Sequence, residues 1–230
     1  MSASLIELQD VNYATNRRTI LHNVSLTVPT NSVVGLLGPN GSGKSTILNL
    51  ISGIIRPTAG RIHIGKASMK IGVSFGDYGF FPEFDAIRNL RLVAQTKQTT
   101  FDPSWVDAQL HHWGLWESRH QPFRQYSAGM KQKLSLIGAV LGDPDLLLLD
   151  EPINHLDWES TQLLRQTIEE QRLRSSIVLA SHDILDVDGL LDYVVLVKKG
   201  TVAVAQTSST VSQKFGSVHK AYIATFHRAQ

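Results

Sequence analysis

The run Gly38-Pro39-Asn40-Gly41-Ser42-Gly43-Lys44-Ser45 constrains this chain more than any other feature. It matches G-x-x-x-x-G-K-[ST] at every fixed position, the pattern of a loop that cradles phosphates. The apolar stretch Val33-Val34-Gly35-Leu36-Leu37 runs into it, and a helix-competent stretch, Ser45-Thr46-Ile47-Leu48-Asn49-Leu50-Ile51, leaves it. Strand, tight loop and helix is the context the motif needs. The glycines let backbone N–H groups point at phosphate oxygens, and the helix opening near Lys44 directs its positive end to the same charge. Lys44 is expected to reach the outer phosphates of a nucleoside triphosphate, and Ser45 to supply a hydroxyl to Mg²⁺. The competing reading, a glycine-rich turn with a chance Lys-Ser, does not account for the flanking strand and helix.

A second apolar run, Leu146-Leu147-Leu148-Leu149, ends in Asp150-Glu151. Carboxylates leaving a buried parallel strand at its C-terminal end sit where ligands bind in open α/β sheets. Asp150 can hold Mg²⁺ directly or through water. Glu151 can act as general base toward an attacking water, given a hydrogen bond to it. His182 follows a third apolar strand, Ser176-Ile177-Val178-Leu179-Ala180. It either contacts the terminal phosphate and orients the water, or is one more structural or solvated histidine. Tyr13 either stacks on a base or packs as a sheet tyrosine. Ser127-Ala128-Gly129 precedes a helix; its hydroxyl and small residues suit anion binding, but a plain N-cap explains them locally.

The other segments supply a frame. Residues 6–8 and 25–28 read as short strands around a polar turn, an opening antiparallel sheet that residues 61–64 can rejoin. Residues 70–75 carry another strand. Asp85, Asp102-Pro103 and Ser127 each begin a helical pattern between residues 84 and 142, and Glu159 to Gln171 continues as helix. Residues 194–197 and 201–204 flank Lys198-Lys199-Gly200 as a hairpin. The tail from Gln206 is polar, with a weak helix over residues 218–226. The reading is an α/β fold: a P-loop NTPase core with a mixed or parallel central sheet, an N-terminal antiparallel β subdomain and an inserted helical subdomain. The expected units are residues 1–83 with 143–205, residues 84–142, and a short tail at 206–230.

With 230 residues the chain can bury a sizeable core. It has no cysteine, which excludes disulfides and thiolate metal sites. The N-terminus lacks a basic region followed by an apolar stretch, so residence in the cytoplasm is the expectation. A net charge of +2 is too little to argue for nucleic acid, and none is expected as a partner. The pair Arg17-Arg18 reads as solvated surface charge, with a minor phosphate-side or adenine-side role left open.

In this order the motifs resemble those of the nucleotide-binding subunits of ATP-binding cassette transporters, from about residue 5 to residue 204. Residues 38–45, continued by Thr46, stand at that family's phosphate loop. Tyr126-Ser127-Ala128-Gly129-Met130 stands at its signature, usually Leu-Ser-Gly-Gly-Gln, and the line Ser127 to Gln132 is of a kind common in exporters. Asp150 and Glu151 stand at the magnesium aspartate and catalytic glutamate, Asp157 at the aspartate of the loop crossing the dimer interface, His182 at the switch histidine and Tyr13 at the adenine-stacking aromatic. The resemblance implies two ATP molecules between two subunits, in a homodimer or a heterodimer with a homologue. Each site would combine the phosphate loop of one subunit with Ser127, Gly129 and Asp157 of the other. It also implies integral membrane partners, a peripheral location on the cytoplasmic face, and Mg²⁺-dependent ATP hydrolysis driving export.

Three departures qualify it. The signature has Ala128 for the first Gly and Met130 for Gln, which the exporter-type line Ser127 to Gln132 accommodates. After residues 71–75 the family presents a glutamine toward Mg²⁺ and the water; here Gly76 stands in that register and Asp77 follows. Either Asp77 substitutes, or the metal relies on Ser45 and Asp150, or turnover is slow. Ile153-Asn154-His155 follows Pro152 where many relatives have Thr and Gly, with only a subtle effect expected. Tyr78, Phe80 and Phe81 either form a cleft for a membrane partner's helix or pack the insertion onto the core. The alternative functions are a non-transport relative acting on ribosomes or DNA, and a nucleotide-binding module that no longer turns over.

Overall fold

The computed structural model describes residues 4–16, 18–185, 187 and 189–226. Arg17 and the first three residues of the N-terminal reading lie outside the described residues. In chain order the elements are β1 (Ser4–Thr15), β2 (Arg18–Pro29), β3 (Val33–Leu37), α1 (Lys44–Ile51), β4 (Ala59–Ile64) and β5 (Ile71–Ser74). There follow α2 (Ala86–Thr96), α3 (Pro103–His112), α4 (Ala128–Val140), β6 (Leu146–Asp150), α5 (Trp158–Gln171) and β7 (Ser176–Ser181). The chain closes with β8 (Tyr193–Lys198), β9 (Thr201–Thr207), α6 (Ser208–Phe215) and α7 (Val218–Phe226).

The strands form two sheets. One is antiparallel, in the order β2-β1-β4. The other runs β5-β6-β7-β3-β8-β9, parallel as far as β8, with β9 antiparallel at its edge. This is the mixed α/β architecture read from the sequence. Side chains of a strand alternate between faces, so a strand covered on both sides must be apolar throughout. β6 is such a strand. Leu146 and Leu148 join a core with Ile47 and Leu48 of α1 and with Leu8, Leu21 and Val24 of the antiparallel sheet. Leu147 and Leu149 join a second core with Leu134 and Ile137 of α4 and Leu164 and Ile168 of α5. Full burial of each such leucine contributes roughly 1.5–3 kcal/mol.

The helix starts follow from side-chain caps. Asp85 accepts from the Arg88 N–H at 2.8 Å, Asp102 from Ser104 at 2.9 Å, and Ser127 from Met130 at 3.2 Å. Asp157 caps α5 by accepting from Ser160 at 2.7 Å. The far ends of α2 and α4 are tied together. Lys97 Nζ donates to the carbonyls of Gly138, Ala139 and Leu141 at 2.8, 2.7 and 3.1 Å, satisfying acceptors that the end of α4 leaves open.

Two local expectations were too modest. β1 and β2 are twelve residues each; register shifts along β1 interrupt the strict alternation that marks a long strand in sequence. The polar tail holds α6 as well as α7. α6 buries only Val211 and is started by Thr207, so it lacks an apolar stripe to read.

Candidate active site

The loop between β3 and α1 closes on itself and on its neighbours. Gly38 is buried, and a Cβ there would lie 2.3 Å from the Val197 carbonyl oxygen of β8, so only glycine passes without moving backbone. Gly43 caps α1 with no side-chain hydrogen bond, leaving the helix start to a ligand. From the β8–β9 turn, the Gly200 N–H donates to the Ser42 carbonyl at 2.9 Å. Lys44 is 4% exposed. Its ammonium donates to the Gly38 carbonyl at 2.7 Å and the Pro39 carbonyl at 3.3 Å, and pairs with Glu151 Oε1 at 3.3 Å.

Parallel pairing of β6, β7 and β3 brings the chemistry of three distant segments to one sheet edge. Asp150 pairs with Ala180 across β6 and β7, the Glu151 N–H donates to the Ala180 carbonyl at 2.9 Å, and the Gly38 N–H donates to the Ser181 carbonyl at 3.3 Å. Glu151 Oε2 accepts from the His182 backbone N–H at 3.3 Å and lies 2.8 Å from His182 Nδ1. Glu151 thus bridges Lys44 and His182, and it does so from a left-handed backbone, φ 47°. A side chain other than glycine rarely holds that conformation, and such strain collects at functional sites.

Burial pushes the Asp150 carboxyl above its ordinary pKa, opposed by a hydrogen bond from Ser45 and by the charge of Lys44, while Glu151 adds to the rise. Its Oδ1 is buried without a hydrogen-bond partner. An orphaned carboxylate oxygen beside a serine hydroxyl is a hard oxygen donor set of the kind Mg²⁺ takes, with water completing its shell. The residues therefore fit the cation: Ser45 and Asp150 would hold it, and it would neutralise phosphate charge. Among the described residues no cluster of three or more His, Asp or Glu forms a separate metal site.

The other predicted residues divide. Pro39, Asn40, Gly41 and Ser42 line an open cavity of about 480 Å³ together with His182. Thr46 sits in the first turn of α1. Tyr13 is half-buried against the core under α1, and its β2 partner Leu21 is the residue that crowds Gly43. Ser127, Gly129 and Asp157 are elsewhere. A Cβ at Gly129 would lie 2.7 Å from the His155 carbonyl, so the start of α4 rests on the loop after Glu151. Gln132 donates to the Pro152 carbonyl at 3.2 Å, and Lys133 lies 3.7 Å from Asp157. Among the described residues no hydrogen bond or ion pair joins Ser127, Gly129 or Asp157 to residues 38–46.

The comparisons with known proteins bear on this constellation. The family model described as ABC transporter matches residues 21–154, more than half of the chain. The chain belongs to the ABC transporter family. It is 31% identical over 205 residues to the lantibiotic transport ATP-binding protein SrtF of Streptococcus pyogenes, covering 86% of this chain and 89% of that one. It is also 31% identical over 222 residues to the molybdenum import ATP-binding protein ModC of Mycobacterium tuberculosis, covering 85% of this chain and 60% of that one. A solved structure described as an ATP-binding subunit of an ABC transporter superposes with a TM-score of 0.82 at 26% identity, over 96% of this chain and 99% of that one.

In this ABC ATP-binding subunit one further element stands beside the phosphate loop, where the sequence reading had not placed it. Tyr222 and Phe226 of α7 line the same cavity as residues 39–42. Tyr222 donates its hydroxyl to the His182 carbonyl at 2.9 Å, and Lys198 donates to the Thr225 carbonyl at 2.6 Å. Only the helical spacing over residues 218–226 signalled this element, and spacing says nothing of where a terminal helix docks. Asp77, at the departure from the family pattern, forms an ion pair with Lys131 of α4 at 2.9 Å. Of the three loop aromatics, Phe80 stacks on Phe123 at 5.1 Å, whereas Tyr78 and Phe81 are more than half exposed.

Proposed function

We propose that this subunit binds and hydrolyses Mg²⁺-ATP to power an ABC exporter, in a head-to-tail dimer seated on separate membrane subunits at the cytoplasmic face. The observation that carries the reading is the bridge Lys44–Glu151–His182 beside the Ser45–Asp150 pair. Lys44 holds outer phosphates once they displace Glu151 from it. Glu151, freed on that side, accepts a proton from the attacking water, and His182 orients Glu151 and the terminal phosphate. Ser127, Gly129 and Asp157 complete the site of a second subunit, a homologue or another copy, which is consistent with their distance from the phosphate loop here. Residues 84–142 act as the helical unit that carries the signature. Tyr78 and Phe81 beside the apolar groove along α2 suit a helix of the membrane subunit.

The printed names of the two relatives point to export and to import. The export direction rests on the Ser127 to Gln132 line, and the cargo touches the membrane subunit. Among the described residues no helix is long and apolar enough to cross a membrane. A second reading, slow turnover, has one specific observation behind it: Gly76 has no side chain and Asp77 is engaged by Lys131. Isolation from native membranes in mild detergent, with mass identification of partners and hydrolysis assays beside Glu151→Gln, separates these. A stoichiometric polytopic partner and turnover well above the variant support the proposal. Recovery with ribosomes or DNA, or turnover equal to the variant, defeats it.

A further inference from the structure

His182 is the most exposed member of the Lys44–Glu151–His182 bridge, with 42% of its side chain accessible against 5% and 21% for the other two. Its ring is held by Glu151 at 2.8 Å, and the side chain is otherwise partly open to solvent. Its backbone is fixed instead. The preceding Ser181 carbonyl accepts from Gly38, and the Ser181 hydroxyl accepts from the Asp183 N–H at 3.1 Å. The carbonyl of His182 itself accepts from the Tyr222 hydroxyl at 2.9 Å.

Tyr222 is built in for this contact. Its ring packs on Phe226 with centroids 4.6 Å apart, and Phe226 lines the cavity beside the phosphate loop. Lys198 grips the same helix through the Thr225 carbonyl, and Gly200, two residues on, donates to Ser42 of the phosphate loop. Burial and the negative charges of Asp183 and Glu151 hold the Tyr222 phenol above its ordinary pKa. The terminal helix therefore meets both halves of the site, the histidine through Tyr222 and the phosphate loop through the β8–β9 turn.

We propose that Tyr222 is a positioning residue for the hydrolytic step: its hydrogen bond fixes the His182 peptide and so keeps the imidazole aligned on Glu151. This deepens the ATPase reading and rests on it. A side chain that orients a catalytic group should alter turnover more than ground-state binding.

The test is Tyr222→Phe, which keeps the ring against Phe226 and removes only the hydroxyl. The inference expects kcat for Mg²⁺-ATP to fall about 3- to 10-fold, the scale of one neutral hydrogen bond, with nucleotide affinity unchanged. It also expects the ¹⁵N resonances of the His182 ring, assigned by difference from His182→Gln, to move in the nucleotide-free protein. Unchanged kcat, or a fall in kcat with the ring resonances unmoved, overturns it. If wild type and Glu151→Gln are equally inactive, the ATPase reading has failed, and the ring resonances alone then decide whether Tyr222 positions His182.

Discussion

Replacing Glu151 by glutamine tests the centre of the site both with and without nucleotide. Lys44 is buried, and Glu151 Oε1 is its counter-charge at 3.3 Å. At an effective dielectric of 20 the bare attraction is about 5 kcal/mol. Desolvation offsets much of that, Glu151 is partly exposed, and Lys44 keeps the Gly38 and Pro39 carbonyls. A net loss of about 1–3 kcal/mol remains, because a buried ammonium is left without its anion. For a chain of this length that corresponds to a fall in Tm of about 3–10 °C. Phosphate then takes the place of the carboxylate, so a saturating non-hydrolysable ATP analogue with Mg²⁺ should narrow the gap between variant and wild type. Hydrolysis should fall about 10²- to 10⁴-fold as the general base is lost. Differential scanning fluorimetry with and without the analogue measures the first effect and phosphate release the second. Equal melting temperatures without nucleotide, or a gap that persists with it, would refute the argument that Glu151 stands in for phosphate.

Three other outcomes follow from the structure. Asp150 carries a raised pKa, so its contribution to stability is full below the ordinary carboxylate pKa and is lost as pH rises through the raised value. Asp150→Asn should therefore melt higher than wild type at pH 7 without ligands, while Mg²⁺ no longer tightens ATP binding; a lower melting temperature contradicts this. Lys97→Met strips three carbonyls at the end of α4 of their donor and should cost about 1–3 kcal/mol in urea denaturation. Burial lowers Lys97 to about 8, so the folded protein releases this proton before the unfolded chain does. The wild type should gain on the variant as pH rises from about 8 toward 10.5. Gly38→Ala drives a Cβ against the Val197 carbonyl and should cost about 1–3 kcal/mol and weaken nucleotide binding; unaltered calorimetric affinity and Tm would show that β8 yields freely.

The sequence by itself determined the local devices. Residues 38–45 state a phosphate loop because their glycines, lysine and serine are each required by backbone geometry or charge. Asp85, Asp102 and Ser127 announce helix starts because capping is a contact within three residues. The four leucines before Asp150 announce a strand buried on both faces. Function at the family level was equally legible, through the order of those motifs. What only the tertiary structure decided lies between elements far apart in the chain. The docking of α7 on His182, the grip of Lys97 on the end of α4 and the capture of Asp77 by Lys131 join residues 40, 41 to 44 and 54 positions apart. The order β5-β6-β7-β3-β8-β9 was equally hidden, although it is what sets Glu151 between Lys44 and His182. Periodicity reports which face of an element is apolar, since that is a property of the element alone. It does not report which other element covers that face, because that choice is made by the summed packing of the whole chain.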